Sequence, residues 1–578
     1  MLLKMTLPRL FVICIGLLEV VGRDKFNVLY IMADDLRPSL GCYSDPLVKS
    51  PNIDQLASKS KVFFNAYAQQ ALCGPSRTSI LTSRRPDTTK LYDNSNFYWR
   101  VHSGNYTTLP QYFKSHGYTT LSVGKIFHPG IVSNHTDDYP YSWSVPPYHP
   151  PSFHYERRKV CKGPDGKLHE NLLCAVNVTE MPLSTLPDIE NTEEAIRLLK
   201  SMKKSKSNFF LAVGYYKPHI PFRIPQEFVK LYPFEKMSLP PDPDVPKGLP
   251  RVAYNPWTDI REREDVKAQN ISFPYGPIPK DFQLQIRQYY FASVSYVDAQ
   301  VGKLLNALDE HGLAENTIVV FTSDHGWSLG EHGEWAKYSN FDVVTRVPLM
   351  VFVPGLTSAS QGVGEKAFPY VDVFQEQTNK RFISGQVVKS VVELVDLFPT
   401  ISHLAGLHAP HKCPQPANHA HLCTEGENRA YTFYRPETFI SEEEMAFSQC
   451  PRPADTPQLN SDQPHFNEVR VLGYSVRSSQ YRYTLWVGFQ PDSFYANLSD
   501  VHASELYLLA DDPDQDHNLY GFKEYELLSH SLGKLSGTGT MPRWTEVLRK
   551  HIIGLNLCLQ RNILNRNPAQ TCLDSQMM

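Results

Sequence analysis

Short apolar runs that alternate with helical patterns constrain this chain more than any other feature. Val28–Met32, Thr119–Val123, Phe209–Val213, Thr317–Phe321 and Leu349–Val353 each have strand length, and each runs into polar or Gly/Pro-rich residues. Helical spacing lies between them. Asn191–Met202 opens on Asn191 with Glu194 three places on, the pattern of a capping box with an Asn cap. Asp281–His311 repeats Phe282, Ile286, Tyr289, Val294, Val297, Val301, Leu304, Leu305 and Leu308, and Gly312 follows as a C′ glycine. Strands apolar at successive positions must be covered on both faces. The pattern therefore predicts an α/β fold, a large domain with a mostly parallel central sheet flanked by helices.

The later sequence changes character. Residues 407–468 are rich in Pro, His, Asn and acidic residues and read as long loops. Val469–Phe489 then alternates about Ser478-Ser479-Gln480, the pattern of a hairpin, and Glu505–Leu509 reads as one more strand. The reading is a smaller C-terminal domain with an antiparallel sheet. A length of 578 residues calls for more than one core. The expected divisions are a catalytic region at 23–430, the antiparallel subdomain at 431–520 and a divergent tail at 521–578, in which 547–559 could form one amphipathic helix.

Residues 1–22 read as a secretory signal: Lys4 and Arg9 precede the apolar stretch Leu10–Leu18, and Gly22 stands near a cleavage position. That stretch is too short for a membrane span, and no other is longer. Five sequons follow, at Asn105, Asn134, Asn177, Asn270 and Asn497, which favours a glycosylated secretory-pathway protein. Disulfides are then reasonable, and the loop-closing pairs are Cys161 with Cys174 and Cys413 with Cys423. Lys+Arg number 57 against 60 Asp+Glu. That near-balance argues against a dedicated nucleic-acid binder but leaves room for a basic pocket.

The chemistry gathers at strand ends. Asp34-Asp35 ends the first run, and Asp324-His325 follows the fourth. Carboxylates with one imidazole suit a hard divalent cation. Cys73-Gly74-Pro75-Ser76-Arg77 opens a run compatible with a helix as far as Arg84. A helix N-terminus favours an anion, and Arg77 adds a fork that fits a tetrahedral oxyanion. Lys125 and His128 follow the second run, Lys217 and His219 the third, and Lys337 lies beyond His325.

These residues resemble the type I sulfatases, of the alkaline-phosphatase-like superfamily. The carriers are the C-x-P-S-R motif at 73–77, Asp34-Asp35 and Asp324-His325, with the segments at 34–43, 123–130 and 330–342; the resemblance runs from about Asn27 to Tyr520. It implies that the formylglycine-generating enzyme oxidises Cys73 to formylglycine, whose hydrate attacks sulfur and whose second hydroxyl later expels sulfate. It implies one calcium ion, held by Asp34, Asp35, Cys73 (as formylglycine), Asp324 and His325. Arg77 would orient the nucleophile, Lys125 and Lys337 would hold sulfate oxygens, and His128 and His219 would move protons. Three departures from the common family pattern stand out: His325 where many members have Asn, three rather than two steps from Lys125 to His128, and Ser83 where Leu-Thr-Gly-Arg is usual. The first two fit an iduronate-specific branch. The implied activity is exo-hydrolysis of the 2-sulfate of iduronate in heparan sulfate and dermatan sulfate, in the lysosome, with Asp138, Trp327 and Tyr338 as candidate sugar contacts. Two alternatives stay open: a phosphodiesterase or phosphonate hydrolase of the same superfamily, and a non-catalytic glycosaminoglycan-binding protein.

Overall fold

A computed structural model describes residues 25–163, 165–359, 365–375, 385–414, 420–434 and 444–521. The signal at 1–22, the tail beyond 521 and Cys14, Cys558 and Cys572 lie outside the described residues.

Seven strands form the central sheet: β1 (Asn27–Asp34), β2 (Lys61–Tyr67), β3 (Thr119–Gly124), β4 (Phe209–Pro218), β5 (Thr317–Ser323), β6 (Arg346–Phe352) and β7 (Gln386–Glu393), in the order β7-β2-β6-β5-β1-β4-β3. β5, β1, β4 and β3 are mutually parallel, β2 and β7 pair in parallel, and only β6 runs against its neighbours. Every residue of β1 is buried. Its side chains split by parity: Leu29, Ile31 and Ala33 join one core, Val28, Tyr30 and Met32 the other. That is the strand period of two with a core on each face, which the unbroken apolar runs require.

The Cys73–Thr82 helix (α1) carries the C-x-P-S-R motif, and the Lys280–Glu310 helix is the long one expected, with Gly312 at φ 62. The expected Asn cap is wrong. The helix runs Pro187–Ser205 with Leu186 at the N-cap, and Asn191 is a buried interior residue. Proline at the first helical position, with Asp188 and Glu190 in the first turn, starts it a turn earlier.

The second sheet is antiparallel, β8 (Ala446–Arg452), β9 (Val471–Arg477), β10 (Tyr481–Gln490) and β11 (Tyr495–Leu508). The hairpin at Ser478-Ser479-Gln480 forms as read, but β8 lies inside the stretch read as loops. It docks on the large sheet: Gln449 N donates to Gln69 O at 2.8 Å and Ser448 Oγ to Ala68 O at 2.6 Å. Disulfides join Cys161 to Cys174 and Cys413 to Cys423. Among the described residues no helix is long and apolar enough to cross a membrane.

Candidate active site

Because β1, β3, β4 and β5 are parallel, their carboxyl ends share one edge, where open α/β sheets place their ligands. Asp34-Asp35, Lys125, His219 and Asp324-His325 leave that edge, and α1 brings Cys73 and Arg77 to it. Arg77 is wholly buried. Its Nε donates to Asp324 Oδ2 at 2.8 Å and its Nη2 to Asp34 Oδ1 at 3.0 Å, while Nη1 donates to Lys125 O and Ile126 O. One guanidinium thus ties the first, third and fifth strands together.

Cys73 sits between two ammonium groups, Lys125 Nζ at 3.4 Å and Lys337 Nζ at 3.3 Å from its sulfur. Lys125 also donates to Asp34 Oδ2 at 2.6 Å, and Lys337 to Asp35 Oδ1 at 2.8 Å. The helix N-terminus does not make the sulfur itself anionic. Burial and the nearby Asp34 charge outweigh the two lysines and push the thiol up to about 12. As a cysteine, residue 73 is a poor nucleophile.

Burial also pushes the Asp35 carboxyl up to about 7, against the pull of Lys337. Burial acts on Asp34 in the same sense, but Lys125, His219, Arg77 and Lys337 together hold it well below the usual range. Two buried atoms of the carboxylate and imidazole cluster have no hydrogen-bond partner among the described residues, Asp35 Oδ2 and His325 Nε2. His325 Nδ1 lies 3.1 Å from the Gly326 carbonyl, which can only accept, so Nδ1 carries the proton and Nε2 keeps its lone pair. Ligand atoms of Asp34, Cys73, Asp324 and His325 lie within 4.8 Å of one another. A buried set of carboxylates and one oriented imidazole, with orphaned atoms, fits a hard divalent cation.

His128 and His219 are half-buried at the mouth. Burial, then Lys125, holds His128 well below the ordinary imidazole range; burial, then Lys337, does the same for His219. His128 Nδ1 is buried without a hydrogen-bond partner among the described residues. His219 Nδ1 lies 2.6 Å from Ile220 O and Nε2 3.9 Å from Asp35 Oδ2.

The three expected sugar contacts each have partners within the protein. Asp138 accepts from Arg100 Nε at 2.5 Å and Nη2 at 2.7 Å. Trp327 is buried against Tyr290 and Phe222. Tyr338 donates its hydroxyl proton to Asp259 Oδ2 at 2.9 Å and accepts from Gln463 at 2.6 Å. They brace the site wall. Other bracing groups carried no local signal. Tyr290 donates to Asp35 O at 2.8 Å, Ser323 Oγ accepts from Leu36 N at 2.9 Å, and Asn94 Oδ1 accepts from Gly74 N at 2.8 Å at the start of α1. Four sequon residues, Asn105, Asn134, Asn177 and Asn270, are exposed, and Asn497 is half-buried.

A mostly parallel sheet with an oxyanion cradle around a C-x-P-S-R cysteine defines a hydrolase of tetrahedral esters. The chain belongs to the sulfatase family, the sulfuric ester hydrolases, whose sequence profile matches residues 26–407. It is 63% identical to mouse (Mus musculus) iduronate 2-sulfatase over 88% of this chain and 93% of that one. It is 62% identical to the human (Homo sapiens) iduronate 2-sulfatase over 86% of this chain and 91% of that one. The solved phosphonate monoester hydrolase of Silicibacter pomeroyi shares the fold, with a TM-score of 0.61 at 19% identity, over 92% of this chain and 96% of that one.

Proposed function

We propose that this chain is a lysosomal exo-sulfatase that hydrolyses the 2-sulfate ester of L-iduronate units in heparan sulfate and dermatan sulfate. The observation that carries the reading is Cys73 held between Lys125 and Lys337, at 3.4 and 3.3 Å, in a chain 63% identical to an iduronate 2-sulfatase. Formylglycine at position 73, formed by the formylglycine-generating enzyme, supplies an aldehyde hydrate where the thiol is inert. Asp34, Asp35, Asp324 and His325, with residue 73, would hold one calcium ion. When bound, the cation supplies charge that steadies sulfate oxygens and acidifies a hydroxyl beside it.

The remaining chemistry belongs to the chain's own side chains. Lys125 and Lys337 hold oxygens of the transferring group, with no reorganisation at the moment of reaction. Arg77 keeps Asp34 and Asp324 in place. Neutral His128 accepts a proton from the hydroxyl of residue 73 as sulfate leaves. The Ile220 carbonyl fixes the proton of His219 on Nδ1, so Nε2 is an acceptor at rest. The negative charge of bound substrate raises its affinity for a proton, which Nε2 then gives to the departing sugar oxygen.

Mass spectrometry of the peptide bearing residue 73 tests the reading, together with release of sulfate from a 2-sulfated iduronide. The modified peptide should be lighter by H₂S less one oxygen. An unmodified cysteine with no sulfate release would leave only a glycosaminoglycan-binding protein. The fold of the Silicibacter hydrolase favours a second reading, phosphonate or phosphodiester hydrolysis; rates on an aryl phosphate and an aryl sulfate, measured side by side, separate the two. Calcium should raise the melting temperature of chelator-treated protein, since a ligand at a hundred times its Kd adds about 2.7 kcal/mol. A melting curve indifferent to calcium would remove the ion from the site.

A further inference from the structure

Among the described site residues the floor is buried and only His128 and His219 reach solvent, so a sugar attached to the sulfate leaves past those two rings. Directly behind His219 a block made of residues 151–163 and 165–176 packs on the end of β4. The Phe153 ring stacks on Tyr216 with centroids 4.4 Å apart. Lys217 Nζ donates to His219 O at 2.6 Å and Pro221 O at 2.8 Å, and pairs with Glu156 at 3.4 Å. Arg223 donates to Tyr155 O at 2.8 Å and Glu156 O at 3.2 Å. Cys161–Lys162 pairs with Leu168–His169, Leu173–Val176 pairs with Phe222–Pro225, and the Cys161–Cys174 disulfide closes the unit. The block is therefore fixed to the same backbone that positions His219.

Its outer surface carries Arg157, Arg158, Lys162 and Lys167, all exposed. The neighbouring acids are engaged with other cations. Glu156 pairs with Lys217 and Arg223, Asp165 with His169, Glu170 with Arg263, and Glu264 with both Lys159 and His169. Four cations thus stand free of ion pairs among the described residues, on the block that is tied to the His219 backbone, in a chain whose net charge is −3. A lone exposed cation gains little from one anion, but several on a fixed surface bind a polyanion cooperatively and in a salt-dependent way.

We infer that this block is a second anion-binding subsite, which takes the sulfated polysaccharide beyond the sugar being hydrolysed. The inference rests on the proposed exo-sulfatase reading, because an exo-enzyme holds one terminal sugar while the rest of the polyanion trails outside. The test is the combined variant Arg157→Ala, Arg158→Ala, Lys162→Ala and Lys167→Ala, checked for an unchanged melting temperature. On a 2-sulfated iduronide monosaccharide its kcat/KM should match the parent's. On a heparin-derived oligosaccharide it should fall about tenfold at low ionic strength, and the gap should close in high salt. Equal kcat/KM ratios on the two substrates, or a gap indifferent to salt, would overturn the subsite. Should the parent turn over neither substrate, the catalytic reading fails separately, and retention on immobilised heparin decides. The subsite requires the parent to elute at higher salt than the variant, and co-elution overturns it.

Discussion

Arg77 is the residue on which the site's charge balance turns. It is buried between Asp34 and Asp324, and removing one partner of a buried ionic network costs about 3–5 kcal/mol. Arg77→Ala should lower stability to urea by that order. Arg77→Lys keeps the charge but cannot span two carboxylates and two carbonyls, so it should stay folded while losing about 10²–10³ in kcat. A lysine variant with parental kcat would show that the fork is not needed. Cys73→Ser makes the complementary case. A serine hydroxyl fits the same space but offers no second hydroxyl to expel sulfate, so the variant should melt within about 1 kcal/mol of the parent yet release no sulfate. Sustained turnover by it would refute the aldehyde chemistry.

At the scale of the element, the end of α1 explains a departure that the sequence only registers. Ser83 caps the helix at φ 50, the left-handed region that glycine enters without cost. Its side chain offsets the strain. Ser83 Oγ donates to Val395 O at 2.6 Å and accepts from Gly426 N at 3.3 Å, and Glu425 N donates to Ser83 O at 2.8 Å. Ser83→Ala keeps the strain and loses the two hydroxyl bonds, and should cost about 1–3 kcal/mol in urea unfolding. Ser83→Gly relieves the strain and loses the same bonds, so its net change should stay within about 1 kcal/mol. If alanine proved no worse than glycine, the hydroxyl would carry no weight here. The five strands read from apolar runs all form. β2 and β7 escaped because Asn65 and Lys389-Ser390 break their apolar runs, while tertiary neighbours bury enough of each strand to hold it.

Across the whole molecule, His332 links three separate stretches of chain. Its Nε2 lies 2.6 Å from Asp514 O and 3.2 Å from Asp242 Oδ2, and its ring stacks on Phe341 at 3.8 Å. Burial depresses it to about 4, whereas in the unfolded chain it titrates near the ordinary value of about 6.5. The unfolded state therefore takes the proton first. The stability that neutral His332 contributes is complete above about pH 6.5 and is lost as pH falls toward 4, by about 3 kcal/mol over the window. Asp242, raised by burial and by Glu331 to about 8, pulls the other way, since its folded form keeps a proton that the unfolded form has released. Comparing parent with His332→Gln in urea at pH 7 and pH 4.5 isolates the histidine: the parent's advantage should shrink at the lower pH. An advantage constant across that range would mean that His332 does not titrate.

Local chemistry wrote much of this protein into its sequence. Strand period and burial on both faces announced the α/β sheet, and Cys73–Arg77, Asp34-Asp35 and Asp324-His325 named the site, because these signals depend on neighbours in the chain. Only the tertiary structure decided what long-range contact controls. Strand order put four carboxyl ends on one edge, which brought Lys125, His219 and Lys337 from distant segments onto the same cradle. The second sheet supplied a scaffold that stretches reading as loops did not show: Arg452 donates to Tyr338 O at 2.7 Å and so steadies the wall beside Lys337. Desolvation did the rest. It kept the Cys73 thiol neutral at a helix N-terminus, and it gave Asp138, Trp327 and Tyr338 partners within the protein, since no residue's neighbours in sequence reveal how much water the fold will leave around it.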